Sequence, residues 1–108
     1  MVTAADQVPE SLLKQVVSVF GPRRVILFGS RAHGDARTDS DFDLVAVLDD
    51  DVPNERLSSK RRYEAHRGFP APVDIIPCRE GVLKERARAI GSFAHTVLTE
   101  GVVVYERS

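Results

Sequence analysis

The chain has 108 residues, with 15 Lys+Arg against 16 Asp+Glu and a net charge of −1. That length suits a single domain spanning 1–108, and the balanced charge excludes a polybasic protein that holds nucleic acid by bulk charge, so direct nucleic-acid binding is not expected. No apolar run approaches the roughly 18 residues of a membrane span, the start MVTAADQVPE has neither the basic flank nor the apolar stretch of a signal peptide, and the single cysteine, Cys78, forms no internal disulfide, which makes a reducing cytoplasm the expected compartment.

Residues 8–20 read as a helix, because Leu12, Leu13, Val16, Val17 and Phe20 recur on one apolar stripe. Gly21 and Pro22 stop it, the glycine by tolerating a left-handed cap and the proline by lacking the N–H to continue. Arg23–Phe28 (RRVILF) reads as a short buried strand. Gly29–Ser40 (GSRAHGDARTDS) is turn-rich and reads as a loop with at most one helical turn. Asp41–Leu48 (DFDLVAVL) is a second strand that alternates at first and then runs apolar, as a strand entering the core does. The acids Asp49–Asp51 read as a solvated loop. Pro53 opens a poorly amphipathic, largely exposed helix over 54–67. Val73–Pro77 (VDIIP) is a third strand. A helix over 82–100 follows, with Ala87, Ile90, Phe93, Ala94, Val97 and Leu98 on one stripe, an interior Gly91 that marks a kink or break, and Gly101 as its cap. Val102–Tyr105 forms a last strand or a packed tail. The fold class is α+β with α/β character, a small mixed β-sheet flanked by helices.

Three features carry chemistry. Gly29-Ser30 follows a buried strand, where glycine lets the backbone approach a ligand and the next free N–H groups suit an anion. The turn is neither a Walker loop nor a GxGxxG fingerprint. Asp41 and Asp43 lie on the same face of a strand, with Phe42 pointing the other way into the core. Two carboxylates about 4 Å apart repel by roughly 1 kcal/mol in water and roughly 4 near a protein surface, a term that a divalent cation reverses. Paired hard oxygens suit Mg²⁺. Asp74 is a lone acid in an apolar strand, and a buried carboxylate needs a partner. If the third strand lies beside the second, Asp74 joins Asp41 and Asp43, and three carboxylates beside a phosphate-gripping turn suit phosphoryl or nucleotidyl transfer.

Gly29-Ser30, ten intervening residues and Asp41-Phe42-Asp43-Leu44 resemble the signature of the DNA polymerase β-like nucleotidyltransferase superfamily. Within it, GSRAHGDARTDSDFDLVAV is similar to the minimal nucleotidyltransferases of the MntA type, antitoxins paired with HEPN-domain toxins. The resemblance runs from the first strand to Asp74. It implies the polymerase β-like fold, with Gly29 and Ser30 holding the nucleotide triphosphate and Arg31 assisting with phosphate charge. It implies that Asp41 and Asp43 coordinate two Mg²⁺ ions, and that Asp74 binds one of them and helps deprotonate the attacking hydroxyl. Gly34 matches a glycine of the motif, and His33 receives no role. The implied reaction is transfer of AMP from ATP, with loss of pyrophosphate, to a tyrosine of the HEPN-type toxin.

Plainer readings stand beside these. A D-x-D alone arises often by chance, Gly29-Ser30 alone suits any strand-to-helix turn, and Asp74 alone suits an ion pair with an arginine. The basic set Arg56, Lys60, Arg61, Arg62 and Arg67 reads as a solvated face, with an acidic partner or RNA as the functional reading. His66 and His95 lack metal-ligand neighbours, and Cys78 reads as a small buried hydrophobe. Two functional alternatives also remain: a non-catalytic module that masks the toxin, and a transferase acting on a small-molecule or RNA hydroxyl. A chain of this length has no room for a second acceptor-binding domain, which favours a protein acceptor.

Overall fold

The computed structural model describes residues 8–29 and 42–107. Helix α1 (Glu10–Phe20) leads into β1 (Arg24–Phe28), followed after the undescribed segment by β2 (Phe42–Leu48). A 3-10 turn (Asn54–Leu57) and α2 (Ser59–Glu64) cross to β3 (Val73–Arg79). Helices α3 (Glu80–Arg86) and α4 (Phe93–Glu100) precede β4 (Val102–Glu106). The described strands form a mixed four-stranded sheet of order β3-β2-β1-β4, antiparallel except for the parallel β2–β3 pair. No described helix is long and apolar enough to cross a membrane.

Side-chain alternation divides the sheet into two apolar faces. On one, Leu12, Val16 and Phe20 of α1 pack on Val25, Leu27, Leu44, Ala46, Leu48 and Ile75. Each fully buried side chain of this size contributes about 1.5–3 kcal/mol. Phe42 joins this face, edge-on to Phe69 at 5.7 Å, as its place between two aspartates predicts. On the other face, Ile26, Val45 and Val47 meet Leu83 of α3 and Ala94 and Val97 of α4. Gly21 closes α1 in the left-handed conformation (φ 56°), its N–H donating to Val17 O, as the sequence predicts.

Two predicted helices are broken. The 54–67 helix divides at Ser58, whose backbone is extended and whose hydroxyl accepts the Arg61 N–H to start α2 afresh. The 82–100 helix stops at Arg86 and restarts after Ser92, which accepts the His95 N–H and donates to Arg86 O. The restart resets the helical phase, so the predicted stripe does not bury as one. Ala94 and Val97 go inside, while Ile90 is 89% exposed and Phe93 and Leu98 remain largely open.

The acids after β2 are not merely solvated. Asp50 accepts the Gly81 N–H at 2.7 Å at the start of α3. Asp49 accepts from Arg107 at 2.9 and 3.2 Å and from Arg23 at 3.0 Å, tying the end of β2 to residues flanking β1 and β4. The hydrogen bonds from Arg107, opposed in part by desolvation and reinforced by Arg23, hold the Asp49 carboxyl below the usual aspartate range. A lowered carboxylate contributes stability that is full above its unfolded pKa, near ~4, and lost as pH falls through the folded value. Asp49→Asn should therefore lower Tm at pH 7. Thermal melts at descending pH should show its deficit against the wild type shrinking from about pH 4 downward and closing once Asp49 is protonated in both states.

Candidate active site

The site is built where β1 ends against the start of β2. Phe28, the last residue of β1, pairs across the antiparallel ladder with Asp43. Gly29 then turns with φ +79°, a conformation that costs other L-residues roughly 1–2 kcal/mol. A side chain here would also collide, since a Cβ on Gly29 would lie 2.6 Å from Asp43 Oδ2. Glycine therefore serves twice, accepting the turn and leaving the space that the Asp43 carboxylate takes.

Asp43 is the register partner of Asp74 across the parallel β2–β3 pair. Adjacent strands lie about 4.8 Å apart, so the two residues share one rung. They also share a face. Val45 and Val47 follow Asp43 by alternation, Ile76 and Cys78 follow Asp74, and all four belong to the cluster under α3 and α4. The adjacency the sequence argument required is present for this pair.

Asp74 departs from expectation in one respect. It is not buried: its side chain is 54% exposed, because β3 is an edge strand and Asp74 is its second residue. Its partner is Arg62 of α2, whose Nη2 lies 3.3 Å from Oδ1. The same guanidinium donates through Nε to Ile75 O at 2.8 Å, so it is anchored to the edge backbone next to the carboxylate. An ion pair this exposed contributes roughly 0–1 kcal/mol and acts chiefly on orientation.

Sequence reasoning missed Arg62, placing it in a solvated basic face. Three members of that set are structural ties instead. Arg56 donates to Phe20 O and Arg61 to Val19 O, both at 2.8 Å, joining the α2 region to the end of α1, and Arg62 reaches β3. No local pattern announces this, since each acceptor is a backbone carbonyl distant in sequence. Cys78 is a half-buried free thiol whose pKa burial pushes up, which suits a wall residue rather than a catalytic nucleophile.

Of the remaining sequence-predicted residues, Ser30, Arg31, Gly34 and Asp41 lie outside the described residues. Among the described residues, no three His, Cys, Asp or Glu side chains cluster as metal ligands. The described pair nevertheless suits a divalent cation. Two carboxylates on one rung supply hard oxygens, and the missing Gly29 side chain keeps Asp43 Oδ2 from being displaced.

A family model described as a nucleotidyltransferase domain matches residues 9–99. Among solved structures, a candidate nucleotidyltransferase from Sulfolobus solfataricus is 27% identical, with 90% of this chain and 76% of that chain covered and a TM-score of 0.56. A toxin–antitoxin structure with AMP-PNP is similar in fold at 16% identity, covering 93% of this chain and 75% of that one, with a TM-score of 0.59. No curated protein matches the chain.

The Gly29–Asp43 approach makes a quantitative prediction. Gly29→Ala should cost about 1–3 kcal/mol, combining backbone strain with displacement of the carboxylate. In an Asp43→Ala background the collision is absent, so the same substitution should cost measurably less. A double-mutant cycle by urea unfolding should return a coupling of at least about 0.5 kcal/mol, and additivity would remove the close contact.

Proposed function

The chain belongs to the nucleotidyltransferase domain family, and from that premise we propose that it is an Mg²⁺-dependent transferase moving AMP from ATP to a hydroxyl of a partner protein. The observation that carries this reading is the in-register Asp43–Asp74 pair beside the Gly29 turn. In the proposed site, Gly29, Ser30 and Arg31 hold the triphosphate, and Asp41, Asp43 and Asp74 hold the metal. Mg²⁺, when bound, supplies Lewis-acid stabilisation of charge on the phosphoryl oxygens.

The chain's own groups do the rest. The Gly29 turn lies on the β1 side of Asp43 and Asp74 lies on the β3 side, so a triphosphate held by the turn presents its α-phosphorus over the Asp43 rung. The acceptor oxygen then approaches from the Asp74 side, in line with the departing group. It forms a bond to the α-phosphorus as the bond to the bridging oxygen breaks and pyrophosphate leaves. Asp74 takes the hydroxyl proton, and Arg62, anchored on the outer edge of β3, pairs with that carboxylate.

The proposed acceptor is a tyrosine of a HEPN-type toxin, with the chain as its antitoxin in a cytoplasmic pair. The GSRAHGDARTDSDFDL stretch supports this, as does the shared fold of the toxin–antitoxin structure. Intact-mass spectrometry tests it, after co-expression with a HEPN-type toxin and incubation with ATP and Mg²⁺. AMP-sized additions to the partner should appear with the wild type. Asp43→Asn should slow them by roughly 10³-fold or more while retaining a cooperative melt. A stable complex with no added mass on either chain would instead favour a masking module.

A further inference from the structure

A groove of about 520 Å³ opens on the α3–α4 side of the sheet, with Val45, Ile76 and Cys78 as its floor and Leu83, Ala89 and Phe93 among its walls. The groove lies one same-face step along the strands from the carboxylates. Val45 pairs with Ile76 just as Asp43 pairs with Asp74, two residues earlier on each strand. Alternation puts both pairs on one face, so the floor begins about 6.6–6.8 Å along the strands from the acidic rung. Phe93 also stacks edge-on against Phe28 at 5.2 Å, and Phe28 is at once the neighbour of Gly29 and the register partner of Asp43. One aromatic pair therefore forms both the groove wall and the flank of the site.

Direction decides what occupies it. In an in-line displacement, the leaving pyrophosphate and the attacking oxygen lie at opposite ends of one line through the α-phosphorus. With the triphosphate at the Gly29 turn and the acceptor beyond Asp74, that line runs across the strands. The 5′-oxygen that carries the nucleoside leaves in the plane roughly at right angles to it, and that plane contains the strand direction in which the groove lies. Resting on the transferase reading above, we propose that this groove is the nucleoside subsite, taking the flat base of the donor nucleotide over Val45 and Ile76 with the Phe93 ring as its stacking wall. Its chemistry suits that ligand: an apolar concavity at the scale of small-molecule sites, with polar groups of Glu85, Arg86 and Ser92 among its lining. Phe93, 52% exposed, has the open aromatic surface that a base would cover. A protein partner would instead call for a contact of about 800 Å² per side, well beyond what a groove of this volume offers.

The test is calorimetric binding of two probes in Mg²⁺, AMP-PNP and inorganic tripolyphosphate, which shares the phosphates and lacks the nucleoside. AMP-PNP should bind the wild type more tightly. Phe93→Ala, which removes the stacking wall, and Ala89→Trp, which fills the groove from an exposed position, should each weaken AMP-PNP by roughly tenfold and leave tripolyphosphate unchanged. Unchanged tripolyphosphate binding also shows that both variants fold. In addition, AMP-PNP should slow alkylation of Cys78, the single cysteine, by iodoacetamide, and tripolyphosphate should not. Wild-type affinity for AMP-PNP in both variants, or equal loss of both probes, would overturn the subsite while leaving the transferase reading standing. Normal AMP-PNP binding with loss of partner modification would also overturn it, assigning the groove to the acceptor. Failure of AMP-PNP to bind the wild type would remove the nucleotide reading and the subsite with it.

Discussion

The parallel register of β2 on β3 is the constraint on which the site depends. It sets Asp43 against Asp74 and, on the next residues, Leu44 against Ile75. Leu44 and Ile75 are fully buried under α1, and that burial locks the register. A one-residue slip of either strand would carry its aspartate into the α1 core and turn its leucine or isoleucine out. An unpaired buried carboxylate would then cost several kcal/mol on top of the lost apolar burial. The acidic pair is thus positioned by the hydrophobic side chains beside it, and needs no attraction of its own.

A parallel pair needs a crossover, and the segment between β2 and β3 supplies it. The 3-10 turn and α2 leave no fully buried residue within them, so polar ties supplement the packing of Leu57 on the core. Arg56 and Arg61 fasten them to the carbonyls that end α1, and Ala65, at the end of α2, is fully buried. Arg62 then covers part of the exposed edge of β3, satisfying the Ile75 carbonyl that an edge strand would otherwise present to other chains. The side chain that protects the edge is the one that orients Asp74.

Much of this is legible in the sequence, for reasons that are local. The Leu12–Val16–Phe20 stripe, the glycine stop after it and the Phe42/Leu44 alternation each follow from a period within a few residues, and the structure reproduces them. Gly29 is legible as a close-approach position, though its collision partner, Asp43, emerges only from strand pairing. The break at residues 87–92 is legible at Gly91 alone. Its consequence is not, because the phase reset that exposes Ile90 and opens the groove beside Phe93 depends on where Ser92 starts α4. Arg62, Asp49 and Asp50 are illegible for a common reason: their partners lie 12 to 58 residues away, and nothing in the spacing names them.

The weakness of the Arg62–Asp74 pair suits the chemistry proposed for it. A fully buried pair, once formed, resists separation by about 3–5 kcal/mol, because either partner alone would be an uncompensated charge in an apolar medium. Such a pair would set Asp74 firmly and also withhold it from a cation. At 44% and 54% exposure the pair is worth roughly 0–1 kcal/mol, so water solvates Asp74 whenever the contact opens. The anchor lies elsewhere, in the hydrogen bond from Arg62 Nε to the β3 backbone, which keeps the guanidinium in place whichever way the carboxylate turns. Orientation is thereby separated from affinity. From the outer edge of β3, Arg62 offsets one of the two like charges on the rung, and can yield one carboxylate oxygen to a competing cation at little cost. An exposed edge strand therefore suits the metal-binding role proposed for Asp74 better than the buried position its apolar neighbours suggest.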